Sequence, residues 1–543
     1  MSEAINGRAS LRVIAGDLGE SGAEQAPTGP TARLVGAPTP SRARGEDDPT
    51  RIVVVGGGIA GLAAAWSLVR DRGSKAEVMV LESASMIGGK LRVSQVEGVP
   101  VDEGAESMLA VRPEGVVLAK AVGLHNAIVH PATTQASVFA RGRLRPLPQG
   151  MISGIPTDLR ALAVSGIVSF PGLLRIPLDH WLPRTSIAQD VSVGDFVATR
   201  LGTEVMRTLV EPMLGGVYAG RAEDLSLEMT LPALFRLLKR DRSLLTAARE
   251  ARATGAGTAG ARRGPIFAGI DGGLGRLPQA LRSRLVKHGV EIQTGCTVTS
   301  IRRNRDGWQV LGVGAKPVGA DQLRSARFSL DADAVILALP APVAARVLRR
   351  ANPQAASTLA TIDYASVGIV TMMFAPDRLP TNLAGSGFLV PAQRGYAVKA
   401  ATFSSRKWAW LAQRPATGST RKSPRHLATV RASFGRFGDD LVLQRDDSEL
   451  SALATAELHQ LAGLSARPLA TRVTRWPDSL PQYTVGHRGR VARVRELLID
   501  TPGIAVCGAA YDGVGVPACI GSAQFAAGQL ATYLRDRERW SYG

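Results

Sequence analysis

One glycine-rich turn constrains the fold of this chain more than any other feature of its sequence. A run of mostly β-branched residues, from Arg51 to Val55, leads directly into Gly56-x-Gly58-x-x-Gly61. In this arrangement the first glycine permits a tight turn, the second lets the backbone approach a diphosphate, and the third allows close packing of a helix on the strand. The pattern predicts a buried parallel strand that opens into a helix, with a dinucleotide at the helix N-terminus.

The residues after this turn complete a βαβ unit. The pattern predicts a helix from Ile59 to about Arg72 and a second strand from Ala76 to Leu81, and Glu82 follows that strand. A carboxylate about 20 residues after the glycines binds the ribose hydroxyls of a nucleotide and disfavours a 2′-phosphate. The unit therefore predicts an α/β fold of the Rossmann type.

Two further glycine-rich segments favour FAD over NAD. The segment from Ser85 to Lys90 places two glycines and a cation just after the second strand, and it looks like the glycine pair found there in the flavin-containing amine oxidase superfamily. The segment from Gly503 to Ala523 contains a predicted strand, a glycine bend and a helix that starts near Pro517. The N-terminus of that helix can point at a flavin ring and stabilise negative charge on its reduced form. Both ends of the chain therefore predict one FAD site.

With these segments in place, the sequence resembles the protoporphyrinogen/coproporphyrinogen oxidase family from Arg51 to about Leu534. Monoamine oxidases and phytoene desaturases share the flavin-binding ends but look different in the first and third of the segments that carry the resemblance. Those segments are Glu211 to Gly220 with Asp224 to Leu227, then Gly272 to Pro278, Pro481 to His487, and Gly508 to Pro517.

The resemblance implies an α/β fold with a Rossmann-type FAD-binding domain, an inserted mixed-sheet substrate domain and a helical domain, which in some relatives is associated with the membrane. The expected boundaries are residues 50–138, 264–345 and 476–541 for the FAD-binding domain, 145–262 for the helical domain with a flexible linker near 253–261, and 139–144 with 346–475 for the substrate-binding domain. Residues 1–49 show no sustained period and are predicted to form a disordered extension, with an overlong start assignment as an equal alternative.

The resemblance also implies the residues of the site. FAD would be held by the glycine turn and the end of the second strand, by a cation that offsets phosphate charge, by a loop beside the flavin ring, by one backbone group at the adenine, and by residues that finish the site. In that order these are Gly56, Gly57, Gly58, Ile59, Ala60, Gly61, Glu82 and Ser83; Lys90; Gly104, Ala105, Glu106 and Ser107; Val298; and Trp476, Val514, Gly515 and Val516. Gly216 matches the position whose carbonyl faces the pyrrole N–H groups of the macrocycle.

Two departures from eukaryotic relatives bear on the substrate. The relatives that oxidise protoporphyrinogen carry Arg where this chain has Glu106 and again where it has Gly215. The pattern looks more like the Gram-positive enzymes that oxidise coproporphyrinogen III, the substrate with four propionates instead of two. Arg112 is the first candidate partner for a propionate, because a guanidinium binds carboxylate through two hydrogen bonds. A surface arginine without a role is the equal alternative.

The expected reaction is hydride transfer from a porphyrinogen to the flavin in haem biosynthesis, giving coproporphyrin III, with oxygen as acceptor and peroxide as by-product. The protein would mainly position and desolvate the substrate, and the sequence shows no catalytic triad, paired-carboxylate signature or metal-ligand spacing. Protoporphyrinogen IX oxidation is the first alternative. Another flavin amine oxidase or desaturase is less favoured, and so is a flavin-free binding protein, because the three glycines of the turn are intact.

The charge of the chain leaves two roles open for its basic residues. The formal net charge is +19, and eight Lys or Arg residues between Arg236 and Arg263 accompany only two acids. No nucleic-acid motif is present, so the run is either a solvated face or a membrane-surface or anion-guiding element. The apolar stretch from Ala161 to Leu174 is too short to span a bilayer but could lie on its surface or wall a pocket. Three cysteines without a CxxC pair indicate a cytoplasmic protein.

Overall fold

The computed structural model describes residues 49–541 except 186, 188, 255–263, 318–322, 381–382, 384 and 414–425. The extension predicted over residues 1–49 therefore lies outside the described residues apart from Pro49, and most of the linker predicted near 253–261 does as well. Within the described part of the chain, the strands form five sheets.

The bounds of the elements in the described residues are as follows. The strands are β1 (Thr50–Val55), β2 (Ala76–Leu81), β3 (Val93–Val96), β4 (Val99–Asp102), β5 (Met108–Leu109), β6 (Ile128–Val129), β7 (Ser137–Ala140), β8 (Arg143–Pro146), β9 (Phe267–Ile270), β10 (Glu291–Gln293), β11 (Cys296–Arg303), β12 (Trp308–Pro317), β13 (Leu323–Ala332), β14 (Ala334–Leu337), β15 (Tyr364–Phe374), β16 (Gly387–Leu389), β17 (Ala400–Thr402), β18 (Ala428–Phe434), β19 (Ala470–Pro481) and β20 (Ile504–Val506). The α-helices are α1 (Ile59–Arg72), α2 (Pro113–Ala121), α3 (Leu159–Ser165), α4 (Phe170–Arg175), α5 (Val193–Leu201), α6 (Thr203–Val205), α7 (Glu211–Tyr218), α8 (Leu227–Thr230), α9 (Pro232–Leu238), α10 (Leu244–Ala253), α11 (Arg276–Lys287), α12 (Ala341–Leu348), α13 (Pro353–Ala360), α14 (Ser404–Lys407), α15 (Ala409–Gln413), α16 (Asp447–Ala462), α17 (His487–Ile499) and α18 (Val516–Ser541).

The sheet that contains β1 is parallel throughout, with the strand order β10-β2-β1-β14-β20. Helices α1 and α18 pack on one face, and the small sheet β11-β12-β13 with α12, α13 and α17 packs on the other. Burial on both faces explains why its strands read as continuous apolar runs rather than alternating ones. The predicted βαβ unit is confirmed with its predicted bounds, and so is the Rossmann-type arrangement.

A seven-stranded mixed sheet has the order β19-β15-β18-β17-β16-β7-β8. The chain contributes to it twice, because β7 and β8 precede the helical segment and the other five strands follow it. Helix α16 covers one face, onto which the even-numbered residues of β18 point. The odd-numbered residues of β18, including Arg431, therefore point to the opposite face. The domain boundaries given above stay a prediction.

The segment from α3 to α10 is helical and packs around one apolar cluster, as its apolar, proline-interrupted sequence predicts. Pro212 lies in α7, and a π-helical turn, Met206–Val210, runs directly into that helix. Because proline has no N–H group and clashes with the carbonyl four residues earlier, a wider turn accommodates it here. Helix α7 ends at Tyr218, and Ala219 follows in a left-handed conformation with φ of 52°.

A fully buried ion pair ties these helices together. The Nε of Arg200 donates to Oδ1 of Asp179 at 2.5 Å, and both side chains are almost completely shielded from solvent. The second carboxylate oxygen of Asp179 accepts hydrogen bonds from Ser243 Oγ and the backbone N–H of Leu245. The other guanidinium nitrogens of Arg200 donate to backbone carbonyls. Both buried charges are thus compensated, which such burial requires.

Candidate active site

The glycine turn lies at the carboxyl end of the parallel sheet, between β1 and α1. Gly56 has φ of 113°, and a Cβ added there would lie 2.4 Å from the carbonyl oxygen of Ala338. A Cβ on Gly61 would lie 1.8 Å from the carbonyl oxygen of Gly56, so only glycine lets α1 approach the turn. Gly58 differs, because the nearest heavy atom to a Cβ there would be 4.0 Å away. The space beside Gly58 is open, as the close approach of a diphosphate requires.

Glu82 joins the end of β2 to this turn. Its Oε2 accepts the backbone N–H of Gly57 at 2.6 Å, and its Oε1 accepts the backbone N–H of Ala84 at 2.8 Å. The hydroxyl of Ser83 donates to Oε1 at 3.2 Å. These hydrogen bonds fix the carboxylate beside the glycine turn, where a ribose would be bound.

The loop that ends at Lys90 packs on the glycine turn. Gly88 forms a parallel β-bridge with Gly58, and its backbone N–H donates to the carbonyl of Gly57 at 2.9 Å. The Lys90 side chain is exposed to solvent in the cleft between these loops. Although the side chain is accessible to solvent, the surrounding protein atoms desolvate the Lys90 ammonium and lower its pKa. A bound diphosphate would raise this pKa.

The loop from Gly104 to Ser107 lies next along the cleft. A Cβ on Gly104 would lie 2.3 Å from the carbonyl oxygen of Lys90, so the two loops are in direct contact. Trp476 of β19 donates its Nε1 to the carbonyl oxygen of Glu103 at 2.9 Å. The structure therefore brings this predicted loop together with Trp476, which comes from the seven-stranded sheet.

Glu106 of this loop is held by two cations. Lys407 Nζ donates to its Oε1 at 2.8 Å, and Arg431 Nη1 donates to its Oε2 at 2.9 Å. Ser404 Oγ donates to Oε2 at 2.8 Å. Burial would raise the pKa of Glu106, but the charges of Lys407 and Arg431 outweigh it and lower this pKa to about 2. Glu106 is therefore ionised at neutral pH.

Sequence reasoning missed these partners of Glu106 and one more carboxyl group. Lys407 and Arg431 are about 300 residues away in the chain, and no spacing rule joins them to the loop. Asp102, at the end of β4, was also missed. Burial raises the pKa of Asp102 to about 7, although the Arg431 charge and backbone N–H groups lower it. Nothing in the residues around Asp102 indicates that its pKa is raised, because the shift depends on burial by distant segments.

The C-terminal glycine segment lies against the same cleft. A Cβ on Gly508 would lie 3.8 Å from the Cβ of Ala60 at the start of α1, so β20 ends beside the first glycine turn. Gly515 is exposed, and a Cβ on it would have no neighbour closer than 3.9 Å. Helix α18 begins at the next residue, Val516. The two predicted ends of the site therefore converge.

Gly216 lies near the exposed end of α7. A Cβ on Gly216 would lie 3.4 Å from Cδ2 of Leu389, and both Leu389 and Val514 pack against the apolar cluster of the helical segment. The last carbonyls of a helix lack intrahelical partners. Among the described residues, no hydrogen bond to the Gly216 carbonyl is found, whereas Ala219 N–H donates to the neighbouring Gly215 carbonyl.

Arg112 lies beside the glycine bend. A Cβ on Gly513 would lie 4.0 Å from Nη1 of Arg112, and the arginine side chain is 44% exposed. Its Nη2 donates to Oε1 of Glu114 at 2.9 Å. The predicted propionate partner is therefore at the cleft but also has a protein carboxylate beside it.

Val298 lies in β11, two residues after Cys296, whose backbone contacts Glu82. The N–H of Cys296 donates to the carbonyl of Glu82 at 2.8 Å, which ties the start of β11 to the end of β2. The pairing of β11 with β12 shifts between Val298 and Ser300. Contact between the Val298 backbone and an adenine stays a prediction.

The cleft fits a flavin dinucleotide. Gly58 and Gly515 leave open space for close backbone contact, the Glu82 carboxylate is the predicted partner of a ribose, and the Lys90 ammonium is a cation that can offset the charge of a diphosphate. Helices α1 and α18 begin at this cleft, and helix N-termini favour negative charge. These features define a class: nucleotide-dependent oxidoreductases that bind their cofactor with both ends of the chain.

The chain belongs to the flavin containing amine oxidoreductase family, whose model matches residues 59–531. This membership confirms the predicted flavin, FAD, and the predicted fold class. Cyclohexylamine oxidase from Brevibacterium oxydans shares the fold, with a TM-score of 0.60 at 17% identity over 90% of this chain and 100% of that one.

More similar relatives lie within one branch of this family. The chain is 35% identical over 480 residues to coproporphyrinogen III oxidase of Mycobacterium bovis, covering 88% of this chain and 96% of that one. It is 30% identical over 494 residues to coproporphyrinogen III oxidase of Bacillus subtilis, covering 90% and 99%. A structure from Exiguobacterium sp. 255-15, described as a protoporphyrinogen oxidase, has a TM-score of 0.73 at 28% identity and covers 89% of this chain and 99% of that one. The predicted family resemblance is confirmed.

Proposed function

We propose that this chain oxidises a porphyrinogen to a porphyrin in haem biosynthesis, with coproporphyrinogen III as its preferred substrate. The observation that carries the proposal is the carbonyl of Gly216, which has no hydrogen-bond partner among the described residues, at a glycine whose Cβ position is 3.4 Å from the apolar side chain of Leu389. Pyrrole N–H groups are donors that need such an acceptor. The similarity to enzymes named coproporphyrinogen III oxidase supports the same substrate class.

In this proposal the protein positions the macrocycle and excludes water from it. The Gly216 carbonyl accepts the pyrrole N–H groups, and the apolar side chains of Leu389 and Val514 contact the flat face of the ring. FAD supplies the hydride acceptor, with oxygen as the final oxidant and peroxide as the by-product. We assign no general base, because orientation and desolvation account for what this chain contributes.

Arg112 is the proposed partner of one propionate. Its guanidinium is half-exposed beside the glycine bend, and its pairing with Glu114 leaves donors on the fork unused. We place at Arg112 one of the two propionates that protoporphyrinogen IX lacks, so that only coproporphyrinogen III gains from this cation. This difference supports coproporphyrinogen III over protoporphyrinogen IX as the preferred substrate.

The test is anaerobic reduction of the purified flavoprotein by each porphyrinogen in turn. We expect bleaching of the flavin absorbance by both, with a larger second-order rate constant for coproporphyrinogen III. A larger constant for protoporphyrinogen IX would reverse the proposed preference. Failure of both to reduce the flavin, while an amine does so, would reject the porphyrinogen proposal.

We also propose that the helical segment contacts a membrane surface. Phe170, Leu174, Leu178 and Trp181 follow helical spacing along α4 and the 3-10 turn after it, and each is between 45% and 72% exposed. No helix in the described ranges is long and apolar enough to cross a membrane. An exposed apolar stripe of this kind can be buried at the headgroup boundary of a bilayer.

Basic residues lie beside the same stripe. Arg242 donates to the carbonyl of His180, next to Trp181, and Arg184 donates to the carbonyl of Lys239. Part of the predicted basic run is therefore brought to the end of the apolar stripe. This pairing of apolar and cationic groups favours an anionic lipid surface.

Co-sedimentation with lipid vesicles tests the membrane contact. We expect binding to phosphatidylglycerol vesicles, weaker binding to phosphatidylcholine vesicles, and at least about a tenfold loss in a Phe170→Ser, Trp181→Ser double variant. The matched control is Ile499→Ser, which removes an equally exposed apolar side chain from α17. Equal binding by the double variant and the control would contradict the proposal.

A further inference from the structure

Three charged side chains join the 104–107 loop beside the cofactor cleft to helix α14 and the seven-stranded sheet. We call them the Glu106 bridge: Glu106 from the loop, Lys407 from α14 and Arg431 from β18. Both ion-pair distances are below 3 Å, at 2.8 Å for Lys407 and 2.9 Å for Arg431. The three side chains are only 11%, 17% and 9% exposed, so water screens them weakly.

The bridge also holds the loop backbone. Arg431 Nη2 donates to the carbonyl oxygen of Gly104 at 2.6 Å, and Lys407 Nζ donates to Ser107 Oγ at 3.3 Å. One arginine thus binds both the backbone at the start of the loop and the Glu106 side chain. The loop conformation therefore depends on residues distant in the chain, Lys407 in helix α14 and Arg431 in the seven-stranded sheet.

The bridge lies on the side of the cleft that is reached from the glycine turn by way of Gly89 and Lys90. A Cβ on Gly89 would lie 3.3 Å from Cα of Gly58, and a Cβ on Gly104 would lie 2.3 Å from the carbonyl oxygen of Lys90. The 85–90 segment therefore contacts the glycine turn, and the 104–107 loop contacts that segment from its other end at Lys90. Ala105, between Gly104 and Glu106, is exposed to solvent there. We expect a dinucleotide bound at Gly58 to extend past this loop.

The bridge has an excess of positive charge and an unused donor. Two cations face one ionised carboxylate, which leaves a net charge of +1 on the three residues. Asp102, which also interacts with Arg431, adds a negative charge only as the pH rises through its pKa of about 7, so the excess positive charge is present in full below that pH. The adjacent Glu103 is compensated separately by Arg472 at 3.0 Å and Arg92 at 3.6 Å. The Nε of Arg431 is buried and has no hydrogen-bond partner in the described part of the chain.

We infer that Lys407 and Arg431 are positioning residues for the cofactor, which act through Glu106 and the Gly104 carbonyl. They fix the 104–107 loop against the bound flavin and leave one net positive charge beside it. Positive charge stabilises the reduced flavin, which is the more negative form, and so raises its midpoint potential. The inference rests on FAD binding and not on the identity of the substrate, so flavin potential and porphyrinogen turnover can fail separately.

The two members of one ion pair should shift the potential in opposite directions. Glu106→Gln removes a negative charge, so we expect the midpoint potential of the bound FAD to rise. Lys407→Gln removes a positive charge, so we expect it to fall. Each shift should change the ratio of reduced to oxidised flavin by about tenfold, which is about 30 mV for a two-electron couple. The double variant should lie near the wild-type potential.

Glu77→Gln is the matched control, because Glu77 forms an exposed ion pair with Arg51 at the opposite end of the parallel sheet. It should leave the potential unchanged. Shifts of the same sign in Glu106→Gln and Lys407→Gln, or no shift in either while FAD is bound, would overturn the inference. A merely structural cluster would lower FAD affinity and Tm in both variants without this reversal of sign.

Arg431→Lys distinguishes the hydrogen bonds by which Arg431 fixes the loop from the effect of its positive charge. It keeps the charge but loses the fork that binds Gly104 and Glu106 together, so we expect an unchanged potential and about a tenfold higher FAD dissociation constant. If Glu106→Gln does not retain FAD, the other two variants still test the inference. A lowered FAD midpoint potential in Lys407→Gln, together with an unchanged potential in Arg431→Lys, supports it. Equal potentials in Lys407→Gln and Arg431→Lys would overturn it.

Discussion

The carboxylate of Glu82 accepts the backbone N–H of Gly57 at 2.6 Å, so the end of the second strand and the glycine turn share one charge-assisted hydrogen bond. The same carboxylate is the predicted partner of a ribose. Glu82→Ala should therefore loosen the turn and remove the ribose partner together. We expect it to purify largely without flavin, measured by the ratio of flavin to protein absorbance. Full flavin retention would reject the ribose role, and Glu82→Gln, which keeps an acceptor, should retain more flavin than Glu82→Ala.

The glycines of the turn differ in what a methyl group would meet. Gly58 has φ of −73° and open space around its Cβ position, so Gly58→Ala should fold with a nearly unchanged Tm. Its methyl group would occupy the space of the diphosphate, and we expect FAD affinity to fall at least about tenfold. Gly61→Ala would clash with the Gly56 backbone and should lower the Tm of the flavin-free protein as well. Thermal unfolding and FAD titration of both variants check this; equal Tm losses would contradict it.

Arg112 should matter more to the substrate with more propionates. Arg112→Ala removes a half-exposed cation beside Gly513. We expect the KM for coproporphyrinogen III to rise about tenfold, and that for protoporphyrinogen IX to rise less, at nearly unchanged flavin content. Steady-state assays with both substrates measure the difference. Equal increases for the two would reject propionate pairing at this position.

Asp102 should make stability depend on pH. Its folded-state pKa of about 7 lies above the usual value near 4, so the folded protein binds a proton that the unfolded chain has released. Between those values, each unit of rising pH lowers the free energy of unfolding by up to about 1.4 kcal/mol. Asp102→Asn removes this titration. On flavin-free protein, the Tm of Asp102→Asn relative to wild type should rise from about pH 5 to about pH 7; a constant difference would show that Asp102 ionises normally.

The buried pair of Asp179 and Arg200 should be costly to break. Arg200→Met leaves a buried carboxylate without its cation, and we expect a loss of about 3–5 kcal/mol in the free energy of unfolding. Urea unfolding of the purified protein measures this loss of free energy. Adding Asp179→Asn to that variant should recover part of the loss. Arg493→Met, which breaks an exposed ion pair with Glu496, should cost about 1 kcal/mol or less; a similar cost for both single variants would contradict the argument.

Local signals in the sequence were sufficient for the βαβ unit. Helix α1 begins after Gly58 and ends at Arg72, and the next residue, Gly73, has φ of 55°, so its C-terminal bound follows from the backbone freedom of glycine. Strand β14 ends at Leu337, although the apolar run that begins at Ala334 continues to Leu339. The chain turns there because Pro340 is the N-cap of α12.

Pairings between distant segments could not be predicted. Strand β7 pairs with β16 some 250 residues away, and nothing in either strand names its partner. Burial was also ambiguous, because the apolar stretch from Ala161 to Leu174 could have lain on a membrane surface or walled a pocket. Phe170 and Leu174 are exposed. Only the three-dimensional arrangement decides which apolar face is covered and which cations meet Glu106.

The order of strands in the parallel sheet has a consequence for biosynthesis. Strand β20 is at the edge of that sheet, and α18, which packs directly against α1, follows it in the chain. While the ribosome is still making the preceding residues, β14 has no neighbour on that side, and an open parallel edge is prone to wrong pairing. The FAD cleft stays incomplete until Gly508 to Val516 have been synthesised, and a chain that stops near residue 500 would lack both that part of the cleft and the partner of β14.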